Sequence, residues 1–271
     1  MRAIACVFCT LASIICLSSS ADAAPTPLES TKPWDLDYGV TQCTAMRTYD
    51  DANRPVTLAI IPAPDGANYE LVVTYKRRSS SYAEEFEGTV TIGSRPISGW
   101  ALRYGMGDLT LFRFRLSSAE MAQARSAKEI SFKLSGERET RFKLENMPEL
   151  MDGLQKCTVD LEDYWNTGGE RNGRIAVPSK GDVRAIFTSN DYPAEAVRRM
   201  QGGTAQYLLL VDEKGSVAGC NVLRPSGVPA LDAMGCLVIE QRSKVTPAKD
   251  AAGKPVRSTV VTPPVTWRIA S

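Results

Sequence analysis

The stretch "AQYLLLVDEKGSVAGCNVL", residues 205–223, has the pattern of a β-hairpin. Alternate side chains of a strand share one face, so its first half places four side chains together: Ala205, Tyr207, Leu209 and Val211. The next four residues, Asp-Glu-Lys-Gly, predict a tight turn, because Gly215 accepts a positive φ at no steric cost. Residues 217–223 predict the returning strand, with Cys220 and Val222 on one face.

Helical segments flank this hairpin on both sides. The segment "DYPAEAVRRMQGG" from Asp191 predicts a helix with Pro193 in its first turn and two glycines at its end. The segment "VPALDAMGCLVIEQR" predicts a second helix that starts near Pro229 and carries few charges. Residues 256–269, "VRSTVVTPPVTWRI", predict one closing strand. Helix, hairpin, helix and strand in this order predict a small α+β domain, which we place at residues 183–271.

Residues 191–269 resemble the TonB C-terminal domain. Five segments carry the resemblance, in chain order "DYPAEA", "VDEKGSV", "SGVPALD", "SKVTPAKDAAGKPV" and "VVTPPVTWRI". They lie within about 80 of the 271 residues. In this family the domain is typically the periplasmic tip of an energy transducer, and its last strand adds an extended peptide of an outer-membrane receptor to the sheet. The resemblance therefore implies a protein or peptide partner that is bound through backbone hydrogen bonds.

The resemblance places the candidate binding edge in the closing strand, at six residues: Val256, Ser258, Val260, Val261, Val265 and Trp267. Pro263 and Pro264 lack an N–H group, so strand pairing should be interrupted there. A competing interpretation takes these prolines as a device that blocks edge pairing, and Trp267 has a competing interpretation as a packing residue. From residue 183 onward, eleven Lys or Arg and seven Asp or Glu residues give a charge of +4, which suits an acidic peptide or an anionic glycan.

Residues 1–23 predict a secretory signal. Arg2 precedes a short apolar run, and Ala21 and Ala23 are the small residues that a signal peptidase reads. Retention as an inner-membrane anchor is the alternative, although the run is shorter than the roughly 20 apolar residues of a membrane span. We therefore expect a periplasmic protein of a Gram-negative envelope, with only indirect membrane contact unless the segment is retained. A short tether, residues 24–33, should follow the signal.

The chain departs from the family's transducers in what precedes the C-terminal region. Those transducers carry a histidine in an uncleaved N-terminal helix and a long proline-rich spacer, whereas this chain has no histidine and no such spacer. Alternating patterns such as "LFRFRL" predict a β-rich domain over residues 34–160, whose function the sequence does not indicate. Ser117 and Glu120 form a capping-box pattern at the start of a helix. A second helix is predicted over residues 148–157, and a glycine-rich linker over residues 161–182.

Removal of the signal would leave four cysteines out of seven: Cys43, Cys157, Cys220 and Cys236. An even number in an exported chain favours disulfides, and four cysteines allow three pairings. We favour Cys43 with Cys157 and Cys220 with Cys236, because each pair then lies within one domain. The lack of histidine, and of a C-x-x-C spacing among these four cysteines, argues against a zinc site or a redox-active thiol pair.

The composition narrows the chemistry of the protein. Without histidine, Ser-His-Asp and Cys-His catalytic arrangements cannot form. Three pairs of adjacent carboxylates have diverging side chains and are expected to be solvated: Asp50-Asp51, Glu84-Glu85 and Glu162-Asp163. A net charge of +1 gives no sign of a nucleic-acid partner. We therefore expect a protein-binding module that is not an enzyme and holds no metal or cofactor. The alternative is an envelope-associated structural protein whose N-terminal domain carries the activity.

Overall fold

The computed structural model describes residues 25–51, 54–77 and 84–269, so the predicted signal lies outside the described residues. The fold is α+β, as the sequence predicts: a large curled sheet comes first, and a small region of helices and short strands follows. Within the described ranges, no helix combines the length and the apolar character that a membrane span requires.

Nine antiparallel strands form the large sheet, in the order β1-β2-β3-β4-β7-β6-β5-β8-β9. The strands are β1 (Asp35–Tyr38), β2 (Cys43–Asp51), β3 (Arg54–Pro62), β4 (Asn68–Tyr75), β5 (Glu84–Ile92), β6 (Arg95–Met106), β7 (Leu109–Ser117), β8 (Glu129–Leu134) and β9 (Thr140–Lys143). The alternation that the sequence predicts is clearest in β7, where Phe112 and Phe114 enter the core and Arg113 and Arg115 point to the outer face.

Part of the predicted tether lies against this sheet and connects its last strand to its second strand. The Leu28 N–H donates to the carbonyl of Arg141 at 2.7 Å, and the Lys143 N–H donates to the Leu28 carbonyl at 2.9 Å. The Ser30 hydroxyl donates to the carbonyl of Thr48 in β2 at 2.6 Å. Residues 28–30 therefore bridge the last strand and the second strand, which helps to curl the sheet around its core.

Two helices pack against the large sheet. Helix α1 (Ser118–Met121) begins with the predicted capping box, and a short 3₁₀ turn continues it over Ala122–Arg125. Helix α2 (Met147–Tyr164) is longer than the predicted helix and includes residues that we had assigned to the linker. Its buried face carries Cys157, whose sulfur is bonded to Cys43. Closure of this 114-residue separation is worth about 4–5 kcal/mol in the chain-entropy description.

The C-terminal region follows the predicted order of helix, hairpin and helix. Its elements are α3 (Ala194–Arg198), β10 (Gly203–Val211), β11 (Val217–Arg224), α4 (Pro229–Arg242), β12 (Ala248–Lys249), β13 (Pro255–Val256), β14 (Ser258–Val261) and β15 (Val265–Trp267). Strand β10 is central, with β11 on one side and β14 and β15 on the other. The closing strand that we predicted as one element is therefore three short strands, and the prolines interrupt it where the sequence predicts.

One face of β10 and helix α4 form the core of this region. The four alternate side chains of β10 are completely buried: Ala205, Tyr207, Leu209 and Val211. The Tyr207 ring approaches the helix at Gly235, where an added Cβ would lie 1.8 Å from the Tyr207 hydroxyl. Only glycine fits this close approach. Cys220 and Cys236 are bonded, so a disulfide joins β11 to α4.

The opposite face of β10 is also buried, although the alternation in the sequence indicates only one shared face. Leu208 is 6 % exposed and Leu210 is completely buried. Leu210 belongs to the hydrophobic core of the large sheet, and Gly219 of β11 lies close to Thr41. The N-terminal part of the chain therefore covers one face of the small sheet, and α4 covers the other.

Candidate peptide-binding edge

Strand β14 lies at one edge of the small sheet, with β10 as its pairing partner. Leu209 is opposite Val260 and Leu208 is opposite Val261. The Thr262 N–H donates to the Tyr207 carbonyl at 2.9 Å. Because hydrogen-bonded and non-hydrogen-bonded pairs alternate in an antiparallel ladder, the backbone of residue 260 faces β10. The N–H and C=O groups of residues 259 and 261 therefore point outward.

These outward groups have no partner in the part of the chain that the structure describes. None of the hydrogen bonds among the described residues uses the outward backbone groups of Thr259 or Val261. Two residues before Thr259, the Arg257 carbonyl is already occupied, because it accepts a hydrogen bond of 2.8 Å from the side-chain amide of Asn166. The open part of the edge thus begins at Thr259.

Two prolines end the open part on the other side. Pro263 and Pro264 have no N–H group to offer a second strand. Thr262, which precedes them, faces β10: its hydroxyl accepts from the Tyr207 N–H at 3.1 Å, and its carbonyl accepts from the side-chain amide of Gln206 at 2.8 Å. The open edge is therefore short, with two outward-pointing residues.

The predicted edge residues differ in how far their side chains are exposed. Val261 is 51 % exposed, whereas Val260 is half-buried and packs into the core under α4. Ser258 is buried, and its hydroxyl lies 2.8 Å from that of Ser179. Val256 lies outside this edge, in β13, where it pairs with Ala248.

The last two predicted residues are part of the core. Val265 and Trp267 are each 6 % exposed. The Trp267 ring makes edge-to-face contacts with Phe187 at 5.3 Å and with Tyr192 at 5.4 Å between ring centroids. Trp267 therefore packs inside the domain, in agreement with its competing interpretation as a packing residue. Contact with a partner at this edge would come from the backbone and from Val261.

The end of α2 supplies two neighbours of the edge that sequence reasoning missed. The side-chain amide of Asn166 donates to the Arg257 carbonyl, and Asn166 has a positive φ of 50° just beyond the helix. Tyr164 is 40 % exposed, and the Arg257 guanidinium lies 4.1 Å from the centre of its ring. Arg257 also pairs with Glu213 at 3.1 Å. The sequence assigns Tyr164 and Asn166 to a linker, so nothing local indicated their position.

A buried carboxylate connects the large sheet to helix α4. Glu85 is 7 % exposed, so our expectation of a solvated Glu84-Glu85 pair is wrong for this residue. Its carboxylate accepts from the Ala230 N–H at 2.9 Å and from the Gln201 side chain at 3.2 Å. The N-terminus of a helix favours a negative charge, because its first N–H groups lack partners within the helix. Glu85 on β5 therefore supplies a hydrogen-bond acceptor and a negative charge at the N-terminus of α4.

A second carboxylate holds the other end of α4. Asp191 is buried and accepts two hydrogen bonds of 2.7 Å from Arg242. The Arg242 guanidinium, with help from Thr188, holds the pKa of the Asp191 carboxyl at about 2, although burial opposes this. Both ends of α4 are thus fixed by carboxylates from outside the helix. Among the described residues, no three cysteine or carboxylate side chains come together as metal ligands.

One family model matches the C-terminal region of the chain. The family model described as "Gram-negative bacterial TonB protein C-terminal" matches residues 188–269, which confirms the resemblance that the sequence motifs indicate. The matched region is thus similar to a non-catalytic protein-interaction domain of the Gram-negative envelope. No curated protein matches the chain.

Proposed function

We propose that this protein is a periplasmic binding module whose β14 edge pairs with an extended segment of an envelope partner, such as an outer-membrane receptor, in TonB-linked transport. The observation that supports this proposal is the pair of outward-pointing residues, Thr259 and Val261, whose backbone groups have no partner among the described residues. An incoming strand supplies the missing backbone partners without any rearrangement of β10.

Backbone pairing sets the scale of the affinity. Two outward residues present two N–H groups and two carbonyl groups, and each hydrogen bond contributes about 0.5–1.5 kcal/mol net. Such a short edge by itself provides weak, reversible binding. The side chains of Val261 and Tyr164 flank the edge and fix the register of the incoming strand.

The periplasmic location rests on the predicted signal and on the disulfides. Two disulfides join Cys43 to Cys157 and Cys220 to Cys236, and such bonds persist in oxidising compartments. If residues 1–23 are retained instead of cleaved, the same edge would belong to an inner-membrane-anchored energy transducer. The intact mass of the purified protein separates these two cases.

Site-specific photo-crosslinking in cells tests the proposal. A photoreactive residue at Val261 of the full chain should form an adduct with an envelope protein, and the crosslinked peptide should map to an extended segment of it. The same substitution at Val159, which is 56 % exposed on α2, is the matched control. No adduct from Val261, or the same adduct from Val159, would contradict strand addition at β14.

A second function is favoured by the contacts between the two parts of the chain. Leu210 packs into the core of the large sheet, and Glu85 binds the start of α4. These contacts fit a structural envelope protein in which the TonB-like fold is a scaffold and the N-terminal part binds the partner. This function predicts adducts from Met106, which is 56 % exposed at the end of β6, and none from Val261.

A further inference from the structure

A cleft of about 390 Å³ separates the outer face of the large sheet from β11 and α4. It lies on the β11 side of the small sheet, whereas the candidate edge lies on the β14 side. Ligand sites are frequent in clefts of this size between packed structural units. This cleft is therefore a separate candidate site, formed by residues of both parts of the chain.

Arg115 enters the cleft from β7 and has an unused donor. One terminal nitrogen of its guanidinium donates to the carbonyl of Val222 in β11. Its Nε–H group is buried and has no hydrogen-bond partner among the described residues. Its neighbour Arg113 is paired with Glu70, but no ion pair among the described residues includes Arg115. Arg115 is thus the cation of the cleft that lacks a directly bonded anion.

Burial of this guanidinium is only partly compensated. Desolvation lowers the pKa of Arg115, and the more distant carboxylates of Glu70 and Asp232 oppose that change. A buried charge is costly unless it is paired, and an arginine fork binds a carboxylate through two parallel hydrogen bonds. A carboxylate bound in the cleft beside the guanidinium of Arg115 would neutralise its charge, and the Nε–H signal would report this change even though the group itself is buried.

The mouth of the cleft offers apolar contacts on both walls. Trp100 on β6 is 42 % exposed and Leu237 on α4 is 46 % exposed, and both line the cleft. Exposed apolar side chains that line a concave site are typical of ligand contacts. Three carboxylates also line the cleft, and each has a partner: Glu70 pairs with Arg113, Asp232 accepts from the Ser226 N–H and Glu240 accepts from the Cys220 N–H. Their charges oppose any anion, so only a ligand with a single carboxylate, placed directly on Arg115, fits the cleft.

We propose that this cleft binds a monocarboxylate that carries an apolar group, with its carboxylate on Arg115 and its apolar group between Trp100 and Leu237. A peptide that ends in an apolar residue and a fatty acid of medium length share this chemistry. Binding forms and breaks no covalent bond.

Nuclear magnetic resonance of the ¹⁵N-labelled full chain tests the proposal through the Nε–H signal of Arg115. Titration with N-acetyl-leucine or with hexanoate should move this signal in a saturable way. N-acetyl-leucinamide is the matched probe without the charge and should leave the signal in place. A response to N-acetyl-leucine alone indicates a peptide end, and a response to hexanoate alone indicates a fatty acid.

Variants then locate the bound carboxylate. Arg115→Lys keeps the charge but loses the fork, so it should raise the dissociation constant about tenfold or more. Leu237→Ala should weaken binding roughly threefold or more through lost apolar contact, and it leaves the Arg115–Val222 hydrogen bond intact. Arg125→Lys is the control, since Arg125 pairs with Asp152 and does not line the cleft.

Three results would overturn the proposal. The first is that neither carboxylate moves the Arg115 signal, and the second is that the uncharged amide moves it equally. The third is that Leu237→Ala, folded by its melting temperature, binds as tightly as the unchanged protein. Because Leu237 is exposed, this third result remains decisive even if Arg115→Lys fails to fold.

Discussion

The two edges of the small sheet differ in what covers their outward backbone groups. On β11, the Cys220 N–H donates to the Glu240 carboxylate at 2.9 Å, and the Val222 carbonyl accepts from Arg115. On β14, the outward groups of Thr259 and Val261 have no such partners among the described residues. Both edges belong to strands that pair with the same β10.

This difference shows that side chains from elsewhere decide which edge is open. Exposed strand edges attract further strands, and proteins commonly block them with charged side chains. Here a charge from α4 and a charge from β7 block β11, while the β14 edge is narrowed only by Asn166 and by two prolines. At β11, an incoming strand would have to displace the hydrogen bonds of Glu240 and Arg115. At residues 259–261 it would displace no hydrogen bond among the described residues.

The largest expected effect comes from loosening the packing that brings Arg115 to β11. Leu210→Ala removes a completely buried side chain from the core shared with the large sheet. We expect a loss of about 2–5 kcal/mol in the free energy of unfolding, measured by urea denaturation. Leu237→Ala, at an exposed position, should change it by less than about 0.5 kcal/mol. Equal losses in the two variants would mean that the two parts of the chain are not packed as described.

A smaller effect should follow from releasing α4 from β11. Replacing both Cys220 and Cys236 by serine opens a bond that spans 16 positions, which should cost about 3 kcal/mol. Glu240 should then protect the backbone N–H of residue 220 less well, and hydrogen exchange at this position should become faster. If that exchange is unchanged while stability falls, Glu240 is held at the edge by other contacts.

Removal of one outward N–H donor from β14 tests most directly whether the β14 edge, and not the β11 edge, binds a partner segment. Val261→Pro deletes an N–H group that points away from β10, so the domain should stay folded. Affinity for a partner segment should fall by roughly 0.5–1.5 kcal/mol, or about two- to tenfold. Val261→Ala keeps the donor and is the matched control. Unchanged binding by a folded Val261→Pro variant, as judged by circular dichroism, would rule out strand addition at this position.

The charge next to the open edge should have a weaker influence. Arg257→Ala removes a cation near the start of the open edge and should change the salt dependence of binding more than the affinity at high salt. The dissociation constants of both proteins at low and high ionic strength measure this. A large difference that persists at high salt would mean that Arg257 contacts the partner directly.

Low pH should weaken the ion pair that holds the end of α4, and it should not affect the β14 edge. The pKa of Asp191 is lowered from 3.8 to about 2. Its pairing with Arg242 therefore contributes its full stabilisation at pH values above 3.8, the pKa of this group in the unfolded chain. This stabilisation is lost as the pH falls from about 4 towards 2. Unfolding midpoints between pH 5 and pH 2 should fall less steeply for Asp191→Asn. Parallel curves for both proteins would show that another carboxylate dominates in this range.

The features that the sequence predicts correctly are mostly those that depend on residues close together in the chain. The hairpin follows from the alternation in β10 and from Gly215, whose φ is 78°. The capping box at Ser117 appears as predicted, since both of its residues lie within one turn. The two disulfides join the pairs that export and domain placement favoured. The length of α2 was underestimated, because its last turn is stabilised by burial of Leu161 and Trp165 and not by a local signal.

The sequence by itself thus determined the small α+β domain, its resemblance to the TonB C-terminal domain and the break at Pro263-Pro264. Only the tertiary structure decided which backbone groups are covered. Arg115 and Val222 are 107 positions apart, and Asn166 and Arg257 are 91 positions apart. No periodicity or motif brings such distant residues together, because their approach depends on how both faces of β10 are packed. The open edge and the cleft are therefore properties of the folded chain, although every residue in them is visible in the sequence.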